Sequence, residues 1–116
     1  MADAPVLVVG AGIAGLTCAL ALARTGRKIV LVEKRTQLEE VGAGLQLSPN
    51  ASRLLIELGL GKALMRAACE PLSLDVVLAR SGKRLARVPL QESMRARYGA
   101  PYLVIHRADL QQILLD

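Results

Sequence analysis

The amino-acid sequence predicts an α/β fold with a parallel sheet, and three observations support this class. Two short apolar runs, at residues 5–9 and 29–32, are rich in β-branched residues, which is typical of strands buried on both faces of a parallel sheet. Between them, from Ile13 to Ala23, apolar residues recur at the spacing of a helix. Strand, helix and strand within about thirty residues predict a right-handed βαβ unit.

The middle of the chain predicts a loop followed by two helices. Residues 36–47 are interpreted as a loop because glycines occupy its centre. A helix is expected to begin at Pro49 or Asn50 and to end at Gly59, and a shorter helix is expected over residues 62–69.

The last third of the chain predicts a hairpin, a strand and a helix. Residues 72–78 and 85–90 are expected to be extended, and a Ser-Gly turn at residues 80–83 joins them into an antiparallel hairpin. Residues 102–105 are predicted to form another strand. A helix is expected to begin at Arg107.

A glycine motif stands between the first predicted strand and the first helix. Gly10 permits a tight turn, Gly12 lets the backbone approach a pyrophosphate, and Gly15 lets the helix pack closely on the strand. The N–H groups and the positive dipole end of the helix then face the anion. The predicted dinucleotide-binding turn therefore comprises six consecutive residues: Gly10, Ala11, Gly12, Ile13, Ala14 and Gly15. The alternative is a glycine turn in an unrelated α/β protein.

Glu33 ends the second predicted strand, where a dinucleotide-binding fold places an acidic residue against the adenosine ribose. A carboxylate at this position repels a 2′-phosphate and disfavours NADP, but the βαβ unit alone leaves NAD and FAD both open. Lys34 and Arg35 either flank the adenosine or lie in solvent. Lys34 is therefore a candidate for contact with the cofactor.

Two further blocks of sequence carry a family resemblance. Residues 41–51, Val-Gly-Ala-Gly-Leu-Gln-Leu-Ser-Pro-Asn-Ala, and residues 105–110, Ile-His-Arg-Ala-Asp-Leu, follow the glycine motif at compatible spacing. Together the three blocks resemble the flavoprotein aromatic hydroxylases, the single-component FAD monooxygenases typified by salicylate hydroxylase. The resemblance covers essentially the whole chain.

The resemblance implies a Rossmann-like FAD-binding domain that carries part of an antiparallel hairpin insertion. By resemblance, Glu33 would hold the FAD ribose, Gly44 and Leu45 would pass near the flavin, and Arg107 would reach the phosphate and ribose region. It also implies NADH or NADPH as a transient co-substrate and a small aromatic compound as substrate.

The sequence indicates no catalytic group and no metal site. His106 and Asp109 are interpreted as structural, since no Ser, Cys or carboxylate constellation points to either. Two aromatic residues in 116 leave no stacking platform for single-stranded nucleic acid, and glycines interrupt the one long apolar stretch, which argues against a membrane span. Cys18 and Cys69, expected to be buried free thiols, favour the cytoplasm.

The chain is interpreted as the N-terminal part of an FAD-binding domain, with the remainder of the FAD and substrate domains absent. The resembled family's later Asp-Gly and Gly-Asp motifs have no match in residues 1–116, so this stretch alone is expected to be inactive. Two alternatives stay open: the cofactor half of another FAD-dependent oxidoreductase, and a non-catalytic truncated remnant.

Overall fold

The computed structural model describes residues 4–36 and 42–116, which fall into two compact units. The first unit contains the chain up to Ala43 together with His106–Asp116, and the second contains Gly44–Ile105. In chain order the elements are β1 (Val6–Val9), α1 (Ile13–Ala23), β2 (Ile29–Val32), β3 (Gly44–Leu47), α2 (Pro49–Leu55), a kinked helical segment (Ile56–Leu60), α3 (Gly61–Ala67), β4 (Ser73–Val77), β5 (Arg84–Pro89), α4 (Gln91–Tyr98), β6 (Leu103–His106) and α5 (Arg107–Leu115).

The first unit contains the predicted βαβ arrangement. β1 and β2 pair in parallel, with Val6 opposite Ile29 and Val9 opposite Val32. α1 contacts both strands and also packs against α5. The helix ends shortly before Gly26, whose φ of 82° lies in the left-handed region that favours glycine. The local strand and helix patterns were therefore sufficient to predict this unit.

One expectation about this sheet is wrong: its strands are not buried on both faces. Leu7 is 61% exposed and Val9 is 78% exposed, and Val30 and Val32 point to the same open face. The cause is that α1 packs on one face of the two strands, and successive side chains of a strand point to opposite faces. In the described part of this unit, one face of the sheet is left apolar and open.

The second unit holds the antiparallel hairpin and a second strand pair. β4 and β5 pair from Ser73 opposite Pro89 to Val77 opposite Arg84, as the turn at residues 80–83 predicted. β3 pairs with β6. The largest fully buried side chains here are aliphatic, namely Leu64, Leu103 and Ile105, which agrees with a chain that has little aromatic material. The small polar side chain of Ser52 is buried as well, and its Oγ donates to the Pro101 carbonyl oxygen at 2.6 Å.

Several predicted bounds in this unit need correction. Residues 44–47, expected to be part of a loop, form β3, because β6 supplies a pairing partner that is distant in sequence. The helix expected over residues 62–69 is α3 and ends at Ala67, since Cys69 exchanges two backbone hydrogen bonds with Val104, both 2.8 Å long. α4 was not predicted at all.

Both cysteines are free, as expected, but the expectation that they are buried is wrong. Cys18 and Cys69 are exposed in this chain. Among the helices of residues 4–36 and 42–116, none is long and apolar enough to cross a membrane. The same residues contain no group of three or more His, Cys, Asp or Glu side chains placed to hold a metal ion.

Candidate functional site

The glycine turn joins the end of β1 to the start of α1. Gly10 has φ 99°, a conformation that side-chain-bearing residues rarely adopt, and its N–H donates to the carbonyl oxygen of Val32 at 2.7 Å. This hydrogen bond extends the contact between β1 and β2 by one residue. The chain can then turn sharply into α1 at the carboxyl end of the sheet, where ligands bind in open α/β folds.

Gly15 allows α1 to lie against the turn. A Cβ atom built on Gly15 would stand only 1.9 Å from the carbonyl oxygen of Gly10, far inside any tolerable contact distance. The third glycine of the motif is therefore required by close packing between helix and turn, as the sequence predicted.

The first turn of α1 presents backbone donors without a competing side chain. Gly12 is the N-cap and makes no side-chain cap, and the first turn contains no acidic residue. The first N–H groups of a helix have no partner within the helix, and the positive dipole end lies beside them. An anion such as a pyrophosphate fits this end of α1.

Glu33 lies beside the turn and is tied to it. One carboxylate oxygen, Oε2, accepts from the Ala11 N–H at 2.7 Å, and the other, Oε1, accepts from the Arg35 N–H at 3.0 Å. The Ala11 and Arg35 N–H groups hold the pKa of the Glu33 carboxyl below its ordinary value. The side chain is thus ionised near neutral pH. Since an ionised carboxylate has about four lone-pair sites, it retains capacity to accept from ribose hydroxyls.

A cleft of about 460 Å³ opens beside these groups. Its walls are formed by the ends of both parallel strands and the residues that follow them, namely Val9, Gly10, Val32, Glu33 and Lys34. The cleft combines apolar walls with one carboxylate and one ammonium group. This donor and acceptor set fits the adenosine end of a dinucleotide, with apolar surface for a base and Glu33 for the sugar.

Arg107 begins α5 in the same unit, and its side chain runs across Gly42. A Cβ atom on Gly42 would come within 3.3 Å of Arg107 Cδ, so the glycine gives the arginine room. The structure therefore brings the 41–51 and 105–110 blocks into contact at this point. Gly44 and Leu45 lie in β3 of the second unit, and their approach to a flavin stays a prediction.

Gln111 belongs to this site and was missed in the sequence. Its side chain is almost fully buried, at 4% exposure, and its Nε2 donates to the Ala11 carbonyl oxygen at 2.9 Å. The position of Gln111 in the sequence could have indicated this contact. Gln111 shares the buried face of α5 with Leu110 and Leu114, and a polar residue at a buried position requires a hydrogen-bond partner.

A second cleft, of about 410 Å³, lies within the second unit. Leu74, Val88, Met94, Tyr98 and Tyr102 form much of its wall. No Asp, Glu, His, Lys or Arg is among the described residues that line it. The phenol groups of Tyr98 and Tyr102 lie on its wall, and the catalytic residues stay unassigned.

The chain matches the family model described as "FAD binding domain" over residues 3–114. It is 42% identical over 115 residues to 3-hydroxybenzoate 6-hydroxylase of Polaromonas naphthalenivorans strain CJ2, covering 99% of this chain and 29% of that protein. It is 45% identical over 111 residues to 3-amino-4-hydroxybenzoate 2-monooxygenase PtnB3 of Streptomyces platensis, covering 96% and 28%. The chain thus spans less than a third of the length of the curated relatives it matches.

Solved structures of related proteins share the fold of this chain. A variant of Klebsiella pneumoniae HpxO complexed with FAD superposes with a TM-score of 0.87 at 26% identity, covering 98% of this chain and 29% of that one. The tetrameric form of 2-methyl-3-hydroxypyridine-5-carboxylic acid oxygenase gives a TM-score of 0.83 at 27% identity, covering 99% and 29%.

Proposed function

The chain belongs to the family of FAD binding domains, and on this premise we propose which of its residues hold the FAD. The proposed contacts are Gly10, Ala11, Gly12, Ile13, Ala14, Gly15, Glu33, Lys34, Gly44, Leu45 and Arg107. The observation that carries the proposal is the Glu33 carboxylate held against Ala11 by a 2.7 Å hydrogen bond, beside the open N-terminus of α1. This arrangement supports a ribose acceptor at Glu33 beside a pyrophosphate site at the start of α1.

Each group has a separate task in this proposal. The N–H groups at the start of α1 bind the pyrophosphate, and Glu33 accepts from the ribose hydroxyls of the adenosine. Lys34, on the wall of the 460 Å³ cleft, flanks the adenosine. Arg107 offers a rigid planar guanidinium to the phosphate and ribose region, a geometry suited to phosphate oxygens. Gly44 and Leu45 pass near the flavin ring.

For the full-length protein we propose an FAD-dependent monooxygenase that uses NADH or NADPH and hydroxylates a small aromatic compound. The names of the relatives support this, since they include hydroxylases and monooxygenases of hydroxybenzoates. When bound, FAD supplies the redox and oxygen chemistry, and the protein contributes binding, orientation and exclusion of water. Another FAD-dependent oxidoreductase is the second candidate, because the described residues hold the adenosine half of the cofactor and assign no catalytic group.

Residues 1–116 are proposed to be the N-terminal part of the FAD-binding domain, acting together with flavin and substrate elements outside this chain. We place the protein in the cytoplasm, which its two free cysteines support. No nucleic acid is proposed as a partner, because two aromatic residues cannot form a stacking platform.

The activity proposal is tested by purifying the full-length protein. We expect bound flavin, seen by its visible absorbance, and NADH or NADPH oxidation that is stimulated by a hydroxybenzoate and yields a hydroxylated ring. The control is the same assay with benzene-ring compounds that lack a hydroxyl or amino activating group. Full flavin loading with nicotinamide oxidation that no aromatic compound changes would favour the second candidate. A protein without flavin would contradict both.

A further inference from the structure

Gln111 connects α5 to the glycine turn across a hundred residues of sequence. Its buried side-chain amide donates to the Ala11 carbonyl oxygen at 2.9 Å. The residue next to it, Gln112, is exposed, and its Nε2 instead donates to Asp116 Oδ1 at the end of the same helix. Two neighbouring glutamines of α5 therefore have different environments, and one of them contacts the turn.

The hydrogen bond fixes the orientation of a peptide group. The Ala11 carbonyl and the Gly12 N–H belong to one planar unit, and no cis peptide bond occurs among the described residues. In a trans peptide the two groups point in opposite directions, so holding the Ala11 oxygen toward α5 directs the Gly12 N–H away from α5. Ala11 is buried, whereas Gly12 is partly exposed. The directed N–H thus belongs to a partly exposed residue of the turn.

Both backbone polar groups of Ala11 are held by side chains. Glu33 accepts from its N–H at 2.7 Å, and Gln111 donates to its carbonyl oxygen at 2.9 Å. Two consecutive peptide units of the turn are therefore anchored, one by the end of β2 and one by α5. A turn anchored in this way loses little conformational freedom when an anion binds.

We propose that Gln111 is a positioning residue for cofactor binding: by donating to the Ala11 carbonyl oxygen it holds the Gly12 N–H in the orientation that receives the pyrophosphate. The inference rests on FAD binding by this chain. It assigns α5 a role beyond Arg107, because the helix then orders the phosphate-binding turn as well as supplying a guanidinium.

The test replaces the donor without changing the bulk of the side chain. Gln111→Met in the full-length apoprotein is expected to weaken FAD and ADP by the same factor, on the order of tenfold, because both ligands carry the pyrophosphate. Gln112→Met is the matched control and is expected to change either affinity by less than about twofold. Both affinities are measured by titration calorimetry, with the melting temperature of each apoprotein recorded beside them.

A second variant separates positioning from mere filling of space. In Gln111→Glu, the buried carboxyl has a raised pKa, since burial disfavours its charged form. Above that pKa the ionised group cannot donate to the Ala11 oxygen, and FAD binding is weak. As the pH falls through the raised pKa, the protonated carboxyl donates again. At about pH 5 we therefore expect Gln111→Glu to bind FAD more tightly than Gln111→Met does.

The outcomes decide between a positioning role and a structural one. Unchanged FAD and ADP affinity in Gln111→Met, or no recovery of Gln111→Glu at low pH beyond the level of Gln111→Met, overturns the inference while leaving FAD binding intact. If Gln111→Met does not fold, the FAD affinity of Gln111→Glu is compared with that of wild type as the pH falls. An affinity that does not rise toward the wild-type value then overturns the inference. A wild-type protein that binds neither FAD nor ADP overturns the inference and the proposed function together.

Discussion

Gly15→Ala is expected to disrupt the cofactor site strongly, although it adds only one methyl group. The new Cβ would stand 1.9 Å from the Gly10 carbonyl oxygen, which is a backbone atom of the turn, and the Cβ itself is fixed to the backbone of α1. The helix must shift away from β1, at a cost of about 1–3 kcal/mol in the free energy of unfolding, as for other overpacked positions. Because the shift moves the N–H groups at the start of α1, FAD affinity is expected to fall by more than about a hundredfold.

The matched control for this variant is Gly61→Ala. Gly61 likewise lies in the first turn of a helix, but a Cβ there would meet the Ile56 side chain at 3.4 Å, an ordinary contact. Alanine in a helix is favoured over glycine by about 0.5–1 kcal/mol, so Gly61→Ala is expected to be neutral or stabilising and to leave FAD binding unchanged. Chemical denaturation and FAD titration of both variants provide the comparison. Equal behaviour of the two alanines would show that the close approach at Gly15 does not exist.

Glu33→Ala is expected to weaken FAD binding about tenfold to a hundredfold, because it removes charge-assisted hydrogen bonds to the ribose hydroxyls. The sharpest measurement compares ADP with 2′,3′-dideoxy-ADP, which lacks those hydroxyls. Wild type is expected to prefer ADP by about the same factor, and Glu33→Ala to show no preference. Glu92→Ala removes an exposed carboxylate from α4 and serves as the control. A preference for ADP that survives in Glu33→Ala would contradict the ribose role.

The pH dependence of FAD binding follows from the same carboxylate. The pKa of Glu33 is lowered by the Ala11 and Arg35 N–H groups, so the charged form persists below the pH at which an ordinary glutamate is protonated. The contribution of Glu33 to binding is therefore complete at neutral pH and is lost only as the pH falls through the lowered pKa. Affinity that declines already between about pH 7 and pH 6 would assign the change to another group.

The βαβ part of the first unit could be predicted from the sequence because the patterns that specify it lie close together along the chain. The apolar runs of β1 and β2, the periodicity of α1 and the three glycines lie within one short stretch, and each fits the same βαβ geometry. The hairpin was predictable for the same reason, since its turn residues stand between its two strands.

The features that the sequence did not predict depend on distant partners or on weak patterns. β3 is short and is extended because β6 pairs with it, which a glycine-rich stretch does not indicate by itself. α4 has no buried residue, so it shows no apolar periodicity that would predict a helix. Gln111 meets Ala11 a hundred residues away, and only the folded chain reveals that contact.

A crystal structure of the full-length protein with FAD would show whether the turn at residues 10–15 and Glu33 bind the ADP half of the cofactor. We expect pyrophosphate oxygens within hydrogen-bonding distance of the N–H groups at the start of α1, and both adenosine ribose hydroxyls within that distance of the Glu33 carboxylate. Adenosine and pyrophosphate bound elsewhere, with the cleft between Val9 and Lys34 left to solvent, would show that this turn and Glu33 do not form the ADP site.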